Sequence, residues 1–408
     1  MIRMLIAPAL AFALTVGYAA LVQPAWEPQH TDQLQYLALA RGLAERGEFT
    51  RATATEAFFP ETYRLPGYPL LLAPLCIGGC DHWRIAIAQA LLVALLAFLA
   101  GALASRVAPR AATAAALATA LFLPFAYYGA IALSDLPGAV LFALGIVSWI
   151  RAIERRSTWL AIAAGAVFGW AGLMRGALVF APLVFAGAAL LRDRANARVA
   201  AASVLATLIV LAPYVAYSET GFGRITGGTS GLVTWLGVFQ GRTEASLDTF
   251  ERAQADEARA DIAAFDAIAD RRARALAWPP LDDSLGVRAR ALIAHDPVGW
   301  ILRAVPRTLE LWAGERPVPG GGSTDLALAL AAVQLVLVAV AGAGVVLLAR
   351  RRDHAATVVV VGIMYVWLTA MPFQTEARYA LPAKMMAIVA AVAFIESRLA
   401  ARRRAARA

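Results

Sequence analysis

Ile85-Ala86-Ile87-Ala88-Gln89-Ala90-Leu91-Leu92-Val93-Ala94-Leu95-Leu96-Ala97-Phe98-Leu99-Ala100-Gly101-Ala102-Leu103-Ala104 runs for twenty residues without a charge and is closed by Arg106. As a helix rising about 1.5 Å per residue it covers the roughly 30 Å of a bilayer's hydrocarbon core. Working outward, comparable segments occur at 5 to 22, 111 to 130, 136 to 150, 158 to 174, 176 to 191, 199 to 217, 326 to 349, 355 to 372 and 379 to 397. The expected fold is therefore an all-α polytopic membrane protein of about ten transmembrane helices. Composition agrees: 60% of the 408 residues are hydrophobic, 16% are charged, and the mean hydropathy is +0.64. Such a chain cannot stay soluble as a globule of this size.

The basic residues are nearly all arginines, with Lys384 the single lysine, and they fall at alternate ends of the segments. One side collects Arg3, Arg106, Arg110, Arg151, Arg155, Arg156, Arg192, Arg194, Arg198, Arg350 to Arg352 and the tail from Arg398 to Arg407. Cytoplasmic loops retain positive charge, so that side is read as the cytoplasm. The net charge of +9 is thus explained by topology and contact with anionic lipid, and it does not imply nucleic acid. Val22-Gln23-Pro24-Ala25 is a poor small-x-small cleavage site, so the first segment is expected to remain as an anchor.

The expected organisation is a transmembrane module at 1–217 with about seven spans and a first outer loop at 23–84. An extracytoplasmic loop domain follows at 218–325, then C-terminal transmembrane helices at 326–397 and a basic cytoplasmic tail at 398–408. The loop domain contains a polar helical stretch around 244 to 277, which reads most simply as a solvated surface. A second stretch, 285 to 312, mixes Ile293, Val298, Trp300, Ile301, Leu302 and Val305 with Arg288, Arg290, Arg303 and Arg307, as an interfacial helix does. No G-x-G-x-x-G or P-loop is present, which argues against a nucleotide-binding domain. Cys76 and Cys80, the only cysteines, could pair outside the membrane, although their Gly78-Gly79 spacer argues against it.

The first outer loop carries His30-Thr31-Asp32-Gln33-Leu34-Gln35-Tyr36 and, later, Arg64-Leu65-Pro66-Gly67-Tyr68-Pro69. Asp32 opens a helix-like stretch. Its plain reading is an N-cap, with Gln35 completing a capping box. An Asp shortly after the first span, an aromatic four residues on and an R-x-P-G-Y-P run leading to the second span resemble the GT-C glycosyltransferases. The likeness is to the bacterial family 39-type branch related to protein O-mannosyltransferases and the aminoarabinose transferase of lipid A. Leu133-Ser134-Asp135, Gly172-Leu173-Met174-Arg175, His295-Asp296-Pro297 and Glu376-Ala377-Arg378-Tyr379-Ala380-Leu381-Pro382 extend it over most of the chain.

The resemblance implies an enzyme, a hexosyl- or pentosyltransferase of the cell envelope. It would move a sugar from a polyprenyl-phosphate donor to a lipid, glycan or protein acceptor on the outer, periplasmic face of the inner membrane. It implies Asp32 as catalytic base and Asp135 as a second acidic residue. Arg64 and Arg378 would hold the donor phosphate, with Arg175, Tyr379 and Lys384 as further members of the cradle. For each arginine the alternative is headgroup contact at the interface, and for His30 a hydrogen-bonded loop residue. Tyr127 and Tyr128 read as an interfacial belt. The resemblance fixes no cofactor, the lipid-linked sugar being a substrate. Some members use a divalent ion, towards which Asp32, Asp135 and His30 supply only part of a site. Tyr63-Arg64-Leu65-Pro66-Gly67 departs from the acidic-basic-Pro-Pro run of the aminoarabinose branch, so the sugar does not carry over. The rival readings are a transporter or flippase of lipid-linked glycans and a glycan polymerase or ligase. The first is disfavoured because the charges sit at span ends, Lys384 being the deepest.

Overall fold

The computed structural model describes residues 2–23, 31–314, 324–351, 353–371 and 373–407, which form helices and connecting turns with no strand. In chain order the α-helices are α1 (Ile2–Leu21), α2 (Thr31–Arg46), α3 (Gly67–Leu72), α4 (His82–Val107), α5 (Ala112–Ala120), α6 (Leu123–Ala130), α7 (Asp135–Arg155), α8 (Thr158–Met174) and α9 (Ala181–Arg192). They continue as α10 (Ala197–Phe222), α11 (Ser230–Phe239), α12 (Thr249–Asp266), α13 (Arg271–His295), α14 (Pro297–Ala313), α15 (Thr324–Ala349), α16 (His354–Ala370) and α17 (Leu381–Ala405).

Nine of the ten expected segments coincide with an apolar helix. Five helices, carried by α4, α7, α10, α15 and α17, are long and apolar enough to cross a membrane by themselves. The segment expected at 111 to 130 is instead a pair, α5 and α6, bent by 48°. The break falls at Leu121-Phe122, just before Pro124, whose missing N–H and fixed φ suit it to the first turn of a new helix. The remaining four lie in α1, α8, α9 and α16; α8 and α16 have 17 residues, about 25 Å. Length and hydropathy make this a multi-pass membrane protein.

α7 and α17 are the most buried of the long helices. Trp149, Phe142 and Ile146 of α7 and Met385, Met386 and Val389 of α17 lie in one apolar core with α4, α8 and α16. Close approach between neighbours depends on small residues. A Cβ on Gly165 of α8 would stand 2.0 Å from the Ser203 carbonyl oxygen of α10. Gly165→Ala is therefore expected to lower the thermal midpoint in detergent by an amount equivalent to about 1–3 kcal/mol of overpacking. An unchanged midpoint would contradict the α8–α10 contact.

The arginine-rich turns gather at one end of the bundle. Arg351 donates to the Val107 carbonyl (2.5 Å), Arg106 pairs with Glu154 (2.7 Å), Arg156 with Asp193 (3.3 Å), and Arg192 bonds Thr357 (3.1 Å). At the other end α11, α12 and α13 form a smaller separate core around Trp235, Leu247, Ala258, Trp278 and Leu285. Asp282 of α13 joins it by accepting the Gly231 and Leu232 backbone N–H groups at the start of α11 (3.1 and 2.8 Å). The stretch expected to form one interfacial helix over 285 to 312 is divided between α13 and α14. Asp296 caps the second by accepting from Gly299 N (2.8 Å), and Pro297 opens it.

Cys76 and Cys80 are joined by a disulfide, against the expectation from their spacer. Gly78 and Gly79 have φ of +75° and +112° and turn the chain so that the two Cα atoms stand 4.1 Å apart. The glycines permit the turn that bulkier residues would resist.

Candidate active site

Five separate pieces of chain place charged side chains at the end opposite the basic turns. Asp32 comes from the first turn of α2, Arg64 from the segment before α3, and Asp135 from the first residue of α7. Arg175 follows the last turn of α8, and Arg378 precedes α17. Asp135 and Arg378 thus head, or lie just before, the two central helices, and their positions are set by the core beneath them.

The carboxylates and guanidiniums interlock. Arg64 pairs with Asp32 Oδ1 and Arg175 with Asp135 Oδ1. Between them Arg378 Nη1 lies 3.2 Å from Asp32 Oδ2 and 3.9 Å from Asp135 Oδ2. Its Nε lies 2.6 Å from Glu376 Oε2. Tyr379 lies beneath two cations, its ring centroid 4.6 Å from the Arg175 guanidinium and 5.6 Å from that of Arg378. Arg64 is placed over Tyr36 and Tyr63 (5.2 and 4.7 Å), and its Nε donates to Gln35 Oε1 (2.8 Å). The capping reading of Asp32 does not hold: Asp32 lies inside α2, both its oxygens face guanidiniums, and Gln35 is turned to Arg64. Burial raises the Asp32 carboxyl pKa, but the charges of Arg64 and Arg378 outweigh burial and hold it below the ordinary carboxylate value.

The supports are polar contacts between helices. Tyr36 Oη lies 3.0 Å from Ser134 Oγ, next to Asp135. Gln33 Oε1 accepts from Ala132 N (3.0 Å), fixing α2 to the turn before α7. Gln89, in the stretch that opened this reading, accepts from Tyr68 (2.9 Å) and donates to the Gly129 and Ile131 carbonyls (3.2 and 2.8 Å). At Gly67 a Cβ would stand 2.6 Å from the Leu173 carbonyl carbon, closer than a methyl group can approach. Only glycine lets α3 lie against the end of α8, where Arg175 begins.

Of the residues expected from sequence, the fold brings together Asp32, Arg64, Asp135, Arg175, Arg378 and Tyr379. Lys384 lies deeper, buried on α17, within 3.4 Å of Gln334 and 5.9 Å from the Phe122 ring centroid. His30 lies outside the described residues. Glu376, Gln35, Tyr36 and Tyr63 join the site without having been assigned a role there. All four stood inside quoted motifs, but Gln35 was read as part of a capping box and Tyr63 only as a flank of Arg64. As arranged, the donor set suits a guanidinium and not a divalent ion, because Arg378 stands between the two carboxylates that would bridge one. Among the described residues no three His, Cys, Asp or Glu side chains gather at ligand spacing.

The fold is similar to that of solved membrane glycosyltransferases, so the resemblance read from the motifs is borne out at the level of fold. Residues 67–217 match the family described as dolichyl-phosphate-mannose-protein mannosyltransferase. Among solved structures, an archaeal oligosaccharyltransferase from Archaeoglobus fulgidus, in complex with an inhibitory peptide and a dolichol-phosphate, superposes with a TM-score of 0.57 at 16% identity. The match covers 96% of this chain and 49% of that one. The same oligosaccharyltransferase tethered to an acceptor peptide containing the NVT sequon gives 0.56 at 17% identity, with 96% and 49% covered. ArnT from Cupriavidus metallidurans bound to undecaprenyl phosphate gives 0.40 at 16%, with 95% and 76% covered. The chain spans about half the length of the oligosaccharyltransferase it matches. No curated protein sequence matches it.

Proposed function

We propose that the protein is a glycosyltransferase that moves a sugar from a polyprenyl-phosphate donor to a lipid, glycan or protein acceptor at the outer face of the cytoplasmic membrane. The observation that carries the reading is the single guanidinium of Arg378 set between Asp32 and Asp135. The family match over 67–217 and the dolichol-phosphate held by a relative of the same fold support the donor class.

The reaction is one displacement with inversion. An acceptor oxygen forms a bond to the anomeric carbon, the bond from that carbon to the phosphate oxygen breaks, and its electron pair leaves with polyprenyl phosphate. Asp32 takes the acceptor proton. Arg64, Arg378 and Arg175 hold the phosphate, whose charge grows as it leaves, and Asp135 orients Arg175. Tyr379 supports two of the guanidiniums with its ring, and Lys384 adds positive charge from deeper in the bundle. α7 and α17 also turn their positive N-terminal ends toward this place. Charge is conserved within the site: Asp32 loses one negative charge as the phosphate gains one. Residues 1–217 and 326–397 form the membrane part on this reading, 218–325 the outer loop domain, and 398–408 a cytoplasmic tail.

The test is direct. Purified protein in liposomes should release polyprenyl phosphate from a polyprenyl-phosphate sugar in the presence of an extract of envelope acceptors. Surface glycans of a deletion strain should lose one residue by mass spectrometry. Unaltered glycans together with no release would sink the reading. Sidedness is tested separately. Glu257→Cys should react with an impermeant maleimide from outside the cell and Arg403→Cys only after permeabilisation, and the reverse pattern would invert the topology.

A further inference from the structure

α14 is amphipathic in the reverse of the usual sense. Val298, Ile301, Leu302, Val305 and Leu309 recur at helical spacing along one face, and all are 51–66% exposed. Its charged side chains lie off that face: buried Arg307 donates to the Gly237 carbonyl of α11, and Glu310 accepts from Gln240 (3.0 Å). A water-facing helix would have the opposite arrangement. The end of α14 is anchored to the membrane part, since Leu311 and Trp312 pack with Ala370, Ala380 and Tyr379, at the C-terminal end of α16 and the start of the segment leading into α17. α14 also lies against α15, a candidate span whose own Leu328, Val333 and Val336 are exposed. The outward apolar surface of α14 therefore continues that of a spanning helix.

We infer that α14 lies in the lipid–water interface at the active-site end, with its outer face in the acyl chains and its inner face holding the site. An interfacial helix sinks its apolar face roughly 5–10 Å into the headgroup boundary, and α14 presents no charge on the side that would enter. From there two routes lead to the guanidiniums. Leu311 and Trp312 share one apolar cluster with Tyr379, the ring beneath Arg175 and Arg378. Gln240, bonded to Glu310, exchanges two hydrogen bonds with the Thr375 backbone (2.9 and 2.7 Å), three residues before Arg378. The bilayer thus becomes part of the support for the cation cluster.

The experiment uses the intact protein in nanodiscs, with an environment-sensitive fluorophore on Leu302→Cys or Val305→Cys and, as control, on exposed Glu257→Cys of α12; the native cysteines are paired and do not label. Phosphatidylcholine with brominated acyl chains should cut emission at 302 and 305 at least twofold and leave 257 unchanged. Quenching at 302 and 305 by aqueous iodide would overturn the inference. So would quenching by neither agent, which would mean that a second protein surface covers the face. The link to the site rests on the proposed sugar transfer and is read separately. Leu302→Asp/Val305→Asp, with an unchanged elution profile, should lose at least tenfold in transfer and recover part of it in detergent. Bromolipid quenching without that loss would retain the docking and reject the coupling. No transfer by the unmutated protein would reject the proposed function while the docking stood.

Discussion

Asp32→Asn should lower sugar transfer by about two to four orders of magnitude, the range attributed to a positioned general base, while the protein still folds. The amide keeps the shape of the carboxylate and one acceptor oxygen for Arg64, so the cluster is not emptied. What it cannot do is take a proton. The measurement is release of polyprenyl phosphate by purified variant and wild type at equal concentration, with elution profile and thermal midpoint as the fold control. A variant with full activity would remove Asp32 from the mechanism. The pH dependence adds a second, independent readout. Burial pushes the Asp32 carboxyl up, but Arg64 and Arg378 together pull it below the ordinary value. A carboxylate with a depressed pKa contributes stability that is complete above its unfolded value, near 4, and is lost as pH falls through the lower folded value. The same pairing makes Asp32 a weak base before substrate binds. A donor phosphate attracts Arg64 and Arg378 away from it, and its proton affinity rises. The acid limb of kcat, which reports the substrate complex, should therefore lie at higher pH than that of kcat/KM, which reports the free protein. Coincident limbs would contradict this shift of the guanidiniums.

The fold was legible because lipid leaves few alternatives: backbone groups must be satisfied within each span, so long apolar runs become helices. Nine of the ten runs became apolar helices and the tenth a bent pair, and the arginine alternation anticipated the end at which Arg106, Arg156, Arg192 and Arg351 now meet. Where the reading failed, local chemistry had been judged without its neighbours. Gly78-Gly79 looked like a slack spacer, but two glycines at positive φ are what closes the three-residue turn between the cysteines. Asp32 looked like a cap because its neighbours in sequence suited one, whereas Arg64 and Arg378, 32 and 346 residues away, take its oxygens. Gln35 was read as a capping partner and Tyr63 as a mere flank of Arg64, since their contacts with that guanidinium exist only once the first loop folds back over the bundle. Gln89 did carry one: a lone amide in an apolar span needs partners within the protein. It finds them in Tyr68 and the turn before α7.

Arg378→Ala should be the most disruptive single change in the cluster. It removes the cation standing between Asp32, Asp135 and Glu376 and leaves three carboxylates facing one another with only Arg64 and Arg175 to compensate. Removing one partner from a largely buried ion pair costs about 3–5 kcal/mol, because the charge left behind is neither solvated nor paired. Here Asp32 and Asp135 keep Arg64 and Arg175, and the Asp32 and Glu376 side chains are 26% and 35% exposed, so the cost falls toward the lower end of that range. A fall in thermal midpoint should therefore accompany the loss of transfer. Arg378→Lys separates the two effects. The ammonium restores the charge and much of the stability, but it is a compact point charge without the planar fork that can touch two carboxylates, or a carboxylate and a phosphate, at once. The lysine variant should melt close to the wild type yet bind the polyprenyl-phosphate donor at least tenfold more weakly, seen as a raised donor KM. If Arg378→Lys transfers sugar with an unchanged KM, charge alone suffices. The bridging position of the guanidinium would then be a feature of folding rather than of catalysis. If the alanine variant keeps the wild-type midpoint, the three carboxylates do not depend on Arg378, and the donor phosphate must be held by Arg64 and Arg175 without it.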